Sequence, residues 1–151
     1  MKKISGILTI NRIKNIKAVT KDKVLAEVCE MIKDSPEVVS PKALLKAIKA
    51  REAIMSTGIG MGIAIPHAKI SSVTDFVMAV GRSVKGVDFQ SLDGFPVHLI
   101  ILIVASDTQG EEFLKILGKI GAFFNKAGNK EKFINAKTSE EVYNLFKDID
   151  N

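Results

Sequence analysis

His67 and Arg51 are the two side chains whose types and spacing could do chemistry together. They close and open the stretch R-E-A-I-M-S-T-G-I-G-M-G-I-A-I-P-H, His67 lying sixteen residues after Arg51. A neutral imidazole is a competent nucleophile near pH 7, because its ordinary pKa of about 6.5 leaves a large deprotonated fraction. Arginine presents a planar fork of donors that suits bidentate contact with phosphate oxygens. Between the two lie Thr57, whose hydroxyl could donate a hydrogen bond at a rim, and three glycines at alternate positions, Gly58, Gly60 and Gly62. Glycine permits close backbone approach, so amides near Gly58 and Gly60 would add donors. The run is not a nucleotide loop: no G-x-G-x-x-G leads into a helix, and no G-K-[ST] follows.

These residues need a helix, a turn and a strand to bring them together. Ser40 is a good N-cap with Pro41 at the first helical position, and Leu44, Leu45 and Ile48 form the apolar face of a helix running towards Met55. Arg51 and Glu52 then fall on its last turns. After the glycine turn, Ile63-Ala64-Ile65 reads as a strand whose ladder Pro66 ends, presenting His67 at an edge.

Upstream, Ile4 to Val19 holds one short strand and connecting turns. From Lys21 to Lys33, Val24, Leu25, Val28 and Ile32 make one stripe of an amphipathic helix, with Thr20 as N-cap. Downstream, Phe76 to Val80 reads as a strand, followed by turns through Lys85-Gly86 and Asp93-Gly94. Val97 to Val104 suits a strand buried on both faces. A polar loop, Ser106 to Gly110, leads to a helix from about Glu111 with Phe113, Leu114, Leu117, Ile120, Gly121 and Phe124 inside. Two helices close the chain, Lys130 to Ala136 and Ser139 to Ile149; Thr138 and Glu141 form a capping-box pattern before the second. The expected fold is α/β, one mixed β-sheet of about four or five strands covered by helices on both faces.

Composition narrows the function classes. A chain of 151 residues, 46% hydrophobic and 26% charged, fits one globular domain over residues 1–151. Its longest apolar run, Val97 to Ala105, is interrupted by His98 and too short to span a bilayer. The start Met1-Lys2-Lys3 is basic, but no signal-peptide pattern follows, and the expected location is cytoplasmic. The single cysteine, Cys29, agrees with a reducing compartment and reads as a core thiol. The net charge of +5 is spread along the chain among acidic residues, a solvated basic surface and not a nucleic-acid footprint.

Taken together, Arg51, Glu52, Ser56, Thr57, Gly58, Gly60, Gly62, Ala64, Pro66, His67 and Ala68 resemble the motif of a known family. It is that of the enzyme IIA domains of mannitol/fructose type in the bacterial phosphoenolpyruvate-dependent phosphotransferase system, including their nitrogen-regulatory relatives. Weaker resemblance in element order extends over most of the chain, and the family also implies a mixed sheet. The resemblance implies that His67 accepts a phosphoryl group from a histidine phosphocarrier protein. It then passes the group to a sugar permease component, or holds it as a signal to a regulatory target. It carries a supporting role to Arg51; Thr57 is added from its chemistry alone. Such a relay asks for positioning and charge stabilisation, since the transferring phosphoryl spreads its charge over three oxygens.

One departure stands out. Many members of the family carry a second active-site histidine at the start of the helix after the central strand, where this chain has Phe113. Transfer then relies on Arg51 and backbone amides, or on Ser106, Thr108 or Gln109, or the protein signals more than it transfers. The last alternative tilts the reading to the regulatory branch. The rivals are a sugar-transport component and a non-transferring interaction module of the same fold. His98, inside an apolar run, reads as a structural histidine, and no spacing of histidines and cysteines implies a metal or an organic cofactor.

Overall fold

The aliphatic run beginning at Val97 becomes the strand on which the molecule is assembled. In the computed structural model, which describes residues 2–151 and so leaves Met1 outside the described residues, this strand spans Val97–Ser106. Numbered in chain order, the helices are α1 (Ile4–Ile7), α2 (Lys21–Glu30), α3 (Pro41–Ile54), α4 (Gly110–Asn125), α5 (Asn129–Asn135) and α6 (Ser139–Ile149). The strands are β1 (Ile13–Asn15), β2 (Gly58–Gly60), β3 (Ile63–Ala64), β4 (His67–Ile70), β5 (Val77–Val87) and β6 (Val97–Ser106).

Among the described residues the six strands form one mixed sheet in the order β1-β5-β6-β3-β2, with β4 also on β6. β5 runs antiparallel to β6, while β3 and β4 run parallel to it one after the other, through Ile63↔Leu99 and His67↔Ile103. Side chains alternate along β6, so each face of the sheet has its own core. Leu99, Ile101, Ile103 and Ala105 pack with Phe113, Ile116, Ile120 and Phe124 of α4 and with Val142 and Phe146 of α6. Ile100, Leu102 and Val104 pack on the other side with Val24, Leu25 and Val28 of α2 and Leu44 and Ile48 of α3. Each such aliphatic or aromatic side chain contributes roughly 1.5–3 kcal/mol on burial, which makes β6 the best-anchored element. The expectation of one mixed sheet with helices on both faces therefore holds.

Local differences from the sequence reading have local causes. Ile4–Ile7 forms a helical turn, because Asp150 at the end of α6 accepts hydrogen bonds from the Ile4 amide (2.6 Å) and the Ser5 amide (3.0 Å). The strand from Phe76 does not stop at Val80; β5 runs to Val87, and its register against β6 shifts between Arg82 and Val87, where Gly86 takes φ +85°. Lys85-Gly86 is thus an irregularity inside a strand and not a turn between two strands. Leu114 is 67% exposed, and Ile116 takes the inner position the sequence reading gave it. Thr20 stands before α2 with its backbone oxygen accepting from Val24, but its hydroxyl makes no cap bond.

Candidate functional site

The site is built by the end of α3, the hairpin β2–β3, the start of β4 and the first turn of α4. α3 begins as expected, with Ser40 Oγ accepting from the Ala43 amide at 3.2 Å and Pro41 in the first turn. Its buried positions are Leu44, Ile48 and Glu52, four residues apart, so a carboxylate occupies the third place of an apolar stripe. Glu52 is 5% exposed and fully engaged. Oε1 accepts from the Thr57 amide (2.8 Å) and lies 3.0 Å from Lys21 Nζ, while Oε2 accepts from Thr57 Oγ1 (2.7 Å). Burying a carboxylate is costly unless it is paired and hydrogen-bonded, and here both conditions are met. Sequence reasoning noted Glu52 only as a motif residue. Its signal was the spacing from Leu44 and Ile48.

Thr57 is placed differently from the rim donor the sequence suggested. It is 6% exposed, and its hydroxyl hydrogen is directed inward to Glu52. Its carbonyl accepts from the Ile65 amide at 3.0 Å, closing β2 onto β3. The glycines also serve the hairpin. Gly60 and Gly62 have φ near +90°, flanking Met61 at φ 54°, and the Met61 amide is held by Asp93 at 2.8 Å. The Gly58 amide donates to Ser56 Oγ at 3.1 Å, and the Cα of Gly60 faces the side chains of Asp93 and Lys130.

His67 opens β4. Pro66 breaks the ladder on its nitrogen side only, since its carbonyl accepts from Ile103 at 3.0 Å and pairing with β6 resumes at His67. The ring nitrogen Nδ1 lies 2.7 Å from the Ile65 carbonyl oxygen. A carbonyl only accepts, so Nδ1 carries the proton and the lone pair of the neutral ring is on Nε2. Burial lowers the pKa of His67 below 6.5; the Ile65 hydrogen bond opposes this, Arg51 adds to it, and Glu52 opposes it. The neutral ring is therefore favoured, with one nitrogen tied and the other presented.

Arg51 and Phe113 flank it. Arg51 is close enough for its charge to act on His67, and its Nη1 donates to the Met55 carbonyl at the end of α3 (2.9 Å). Phe113 sits where the second histidine was expected: its ring centroid is 5.9 Å from that of His67, and it packs on Phe76 at 6.4 Å. The polar residues considered as substitutes are occupied. Gln109 accepts from the Ser106 amide (3.0 Å) and donates to Asp75 (2.8 Å), while Ser106 Oγ and Thr108 Oγ1 are paired at 2.9 Å. Of the two histidines, His98 lies apart, its Nδ1 tied to the Ser83 carbonyl (2.8 Å), as a structural residue would be. Burial pushes the Cys29 thiol up to about 12, which leaves it inert. Among the described residues no cluster of three histidine, cysteine or carboxylate side chains could hold a metal, and no helix is long and apolar enough to cross a membrane.

Comparison with known proteins places the same residues in a wider setting. Residues 7–149 match the family model described as "Phosphoenolpyruvate-dependent sugar phosphotransferase system, EIIA 2". The chain is 34% identical over 149 residues to the PTS system fructose-specific EIIABC component of Bacillus subtilis, covering 98% of this chain but only 24% of that protein. It is 32% identical over 153 residues to the nitrogen regulatory protein of Pseudomonas aeruginosa, covering all of this chain and 99% of that one. In three dimensions it resembles the crystal structure of nitrogen regulatory protein IIA-Ntr from Neisseria meningitidis, with TM-score 0.87 and 28% identity over 95% of this chain and 98% of that one.

Proposed function

The chain belongs to the EIIA 2 family of the phosphoenolpyruvate-dependent sugar phosphotransferase system, and on that premise we propose that it relays a phosphoryl group through His67. The observation that carries this is the 2.7 Å bond from Nδ1–H to the Ile65 carbonyl, which leaves the lone pair on Nε2. Nε2 attacks the phosphorus of a phosphohistidine on a donor phosphocarrier protein. The new N–P bond forms as the donor's N–P bond breaks, and the electron pair of the broken bond returns to the donor imidazole. The His67 ring, now bearing positive charge, keeps its Nδ1–H on the carbonyl dipole of Ile65. Arg51 is the cation available to the phosphoryl oxygens. Thr57 takes no direct part and acts by holding the hairpin.

The exposed apolar residues Ile54 and Met55 on the helix end that carries Arg51, and Leu114 beside Phe113, offer a contact surface to donor and acceptor proteins. The reading covers residues 1–151 as one such domain working in the cytoplasm, where the donor would be found. Phe113 favours the regulatory output over sugar flux, because a site with one cationic partner is better suited to holding a phosphorylation state than to rapid turnover. The alternative output is transfer to a sugar permease component.

The test is phosphorylation of the purified protein from phosphoenolpyruvate through the general phosphotransferase proteins, followed by intact-mass measurement. One added phosphate, labile to hydroxylamine and absent from His67→Ala, is expected. No incorporation in the native sequence would refute the relay and leave a binding module whose output persists in His67→Ala.

A further inference from the structure

From Lys21 to His67 the structure contains an unbroken line of polar contacts across three elements. Lys21 Nζ, at the start of α2, lies 3.0 Å from Glu52 Oε1 on α3, with its side chain 18% exposed and that of Glu52 3% exposed. Glu52 accepts both the amide and the hydroxyl of Thr57. The Thr57 carbonyl accepts the Ile65 amide at 3.0 Å. The Ile65 carbonyl accepts Nδ1–H of His67 at 2.7 Å. Thr57 and Ile65 each donate with the amide and accept with the carbonyl, so the position of the Ile65 carbonyl depends on the carboxylate two hydrogen bonds away. The line ends at the half-buried ring of His67, whose Nδ1 it ties.

A buried ion pair replaced by apolar residues of similar volume is often as stable or more so, so stability alone is a weak reason for this one. Orientation is a stronger reason. An imidazole has two tautomers, and only the one with its proton on Nδ1 presents a lone pair at Nε2. We propose that Glu52, neutralised by Lys21, is a positioning residue: it fixes Thr57 and Ile65 so that His67 is held as the Nδ1–H tautomer with Nε2 facing the phosphodonor. This rests on the reading of His67 as the phosphoryl acceptor. Glu52 never touches the phosphoryl group, and Lys21 acts only by matching its charge.

The test compares the native protein with Glu52→Gln, which keeps the shape of the side chain but removes its charge and one acceptor oxygen. Nitrogen-15 shifts of the His67 ring report the tautomer, a pH titration reports its midpoint, and steady-state transfer from the phosphocarrier protein separates kcat from KM. In the variant an Nε2–H population is expected, with a midpoint below that of the native protein because the negative charge that supports protonation is gone. Its kcat should fall about ten-fold, the usual scale for an orienting partner, with KM for the donor unchanged. Should Glu52→Gln fail to fold, Thr57→Val removes the hydroxyl bond to Oε2 at constant volume, and the same changes in tautomer and kcat are expected. A folded variant that keeps a single Nδ1–H tautomer and native kcat overturns the positioning role alone. A native protein that takes no phosphate overturns the acceptor reading and the role built on it.

Discussion

Phe113 and His67 face one another across the junction of α4 and β4, with ring centroids 5.9 Å apart and planes inclined at 49°. Phe113 is 4% exposed and removes water from one side of the imidazole without offering it a hydrogen bond. The site is therefore asymmetric: Arg51 supplies cationic character on one flank, and an apolar ring closes the other.

Replacing Phe113 by histidine should raise the rate of phosphoryl transfer to His67, because a donor then stands where the present ring has none. The same change places a polar ring in a buried position, at a cost of about 1–3 kcal/mol. Stopped-flow phosphorylation alongside urea unfolding measures both effects, and a variant that transfers no faster would show that Phe113 does not limit the reaction.

The pH dependence follows from the lowered pKa of His67. Burial dominates that shift, so at pH 6.5, where a free imidazole is half protonated, the ring in the folded protein is more than half neutral. Acceptance of phosphate should persist there and decline only as pH falls through the folded midpoint. For stability, the unfolded chain binds the proton more readily. His67 therefore costs nothing above its unfolded pKa and makes folding progressively less favourable as pH falls from there to the folded midpoint. His67→Ala should flatten that part of the stability curve, measured by urea titrations across pH 5 to 7.

Gly58 and Ser91 make a tightly packed pair. A Cβ at Gly58 would lie 2.1 Å from Ser91 Oγ, a hydroxyl that is buried without a hydrogen-bond partner. Gly58→Ala should destabilise the protein by about 1–3 kcal/mol through overpacking. Ser91→Ala removes an unpaired buried polar atom and should be neutral or stabilising by up to about 1 kcal/mol. In the double variant the glycine substitution should cost less than it does alone, and thermal unfolding of the four proteins closes the cycle.

Asp150 joins the two ends of the chain. Its carboxylate accepts from the amides of Ile4 and Ser5 and from Ser5 Oγ, and lies 3.8 Å from Lys119. Burial alone would raise its pKa, but the Ser5 and Ile4 hydrogen bonds with Lys119 outweigh that and hold it below 3.8. The resulting stabilisation is present above the unfolded pKa and is lost as pH falls through the lower folded value. Asp150→Ala should cost about 1–3 kcal/mol and expose the amides of residues 4 and 5 to hydrogen exchange.

Much of the fold could be read in the sequence, because it rests on patterns local to each segment. Ser40-Pro41 marked the start of α3, Thr138 and Glu141 that of α6, the run from Val97 marked the buried strand, and the spacing of apolar residues marked α2 and α4. Each is set by capping or by burial on one face, and neither needs a distant partner to be legible. The motif also singled out His67 and Arg51, and the position of Phe113 against His67 followed from its alignment. The tertiary structure alone decided what the polar atoms do. Thr57 was expected at a rim, yet its hydroxyl faces a carboxylate on the buried stripe of α3. Amides near Gly58 and Gly60 were expected as further donors to phosphate, yet the Gly58 amide turns to Ser56 and the glycines shape a hairpin whose Met61 amide is held by Asp93. The proton of His67 sits on Nδ1 because the Ile65 carbonyl is there to accept it. Hydrogen bonds depend on direction and on distances of a few tenths of an ångström, set by elements far apart in the chain, whereas hydrophobic periodicity needs only the order of the residues.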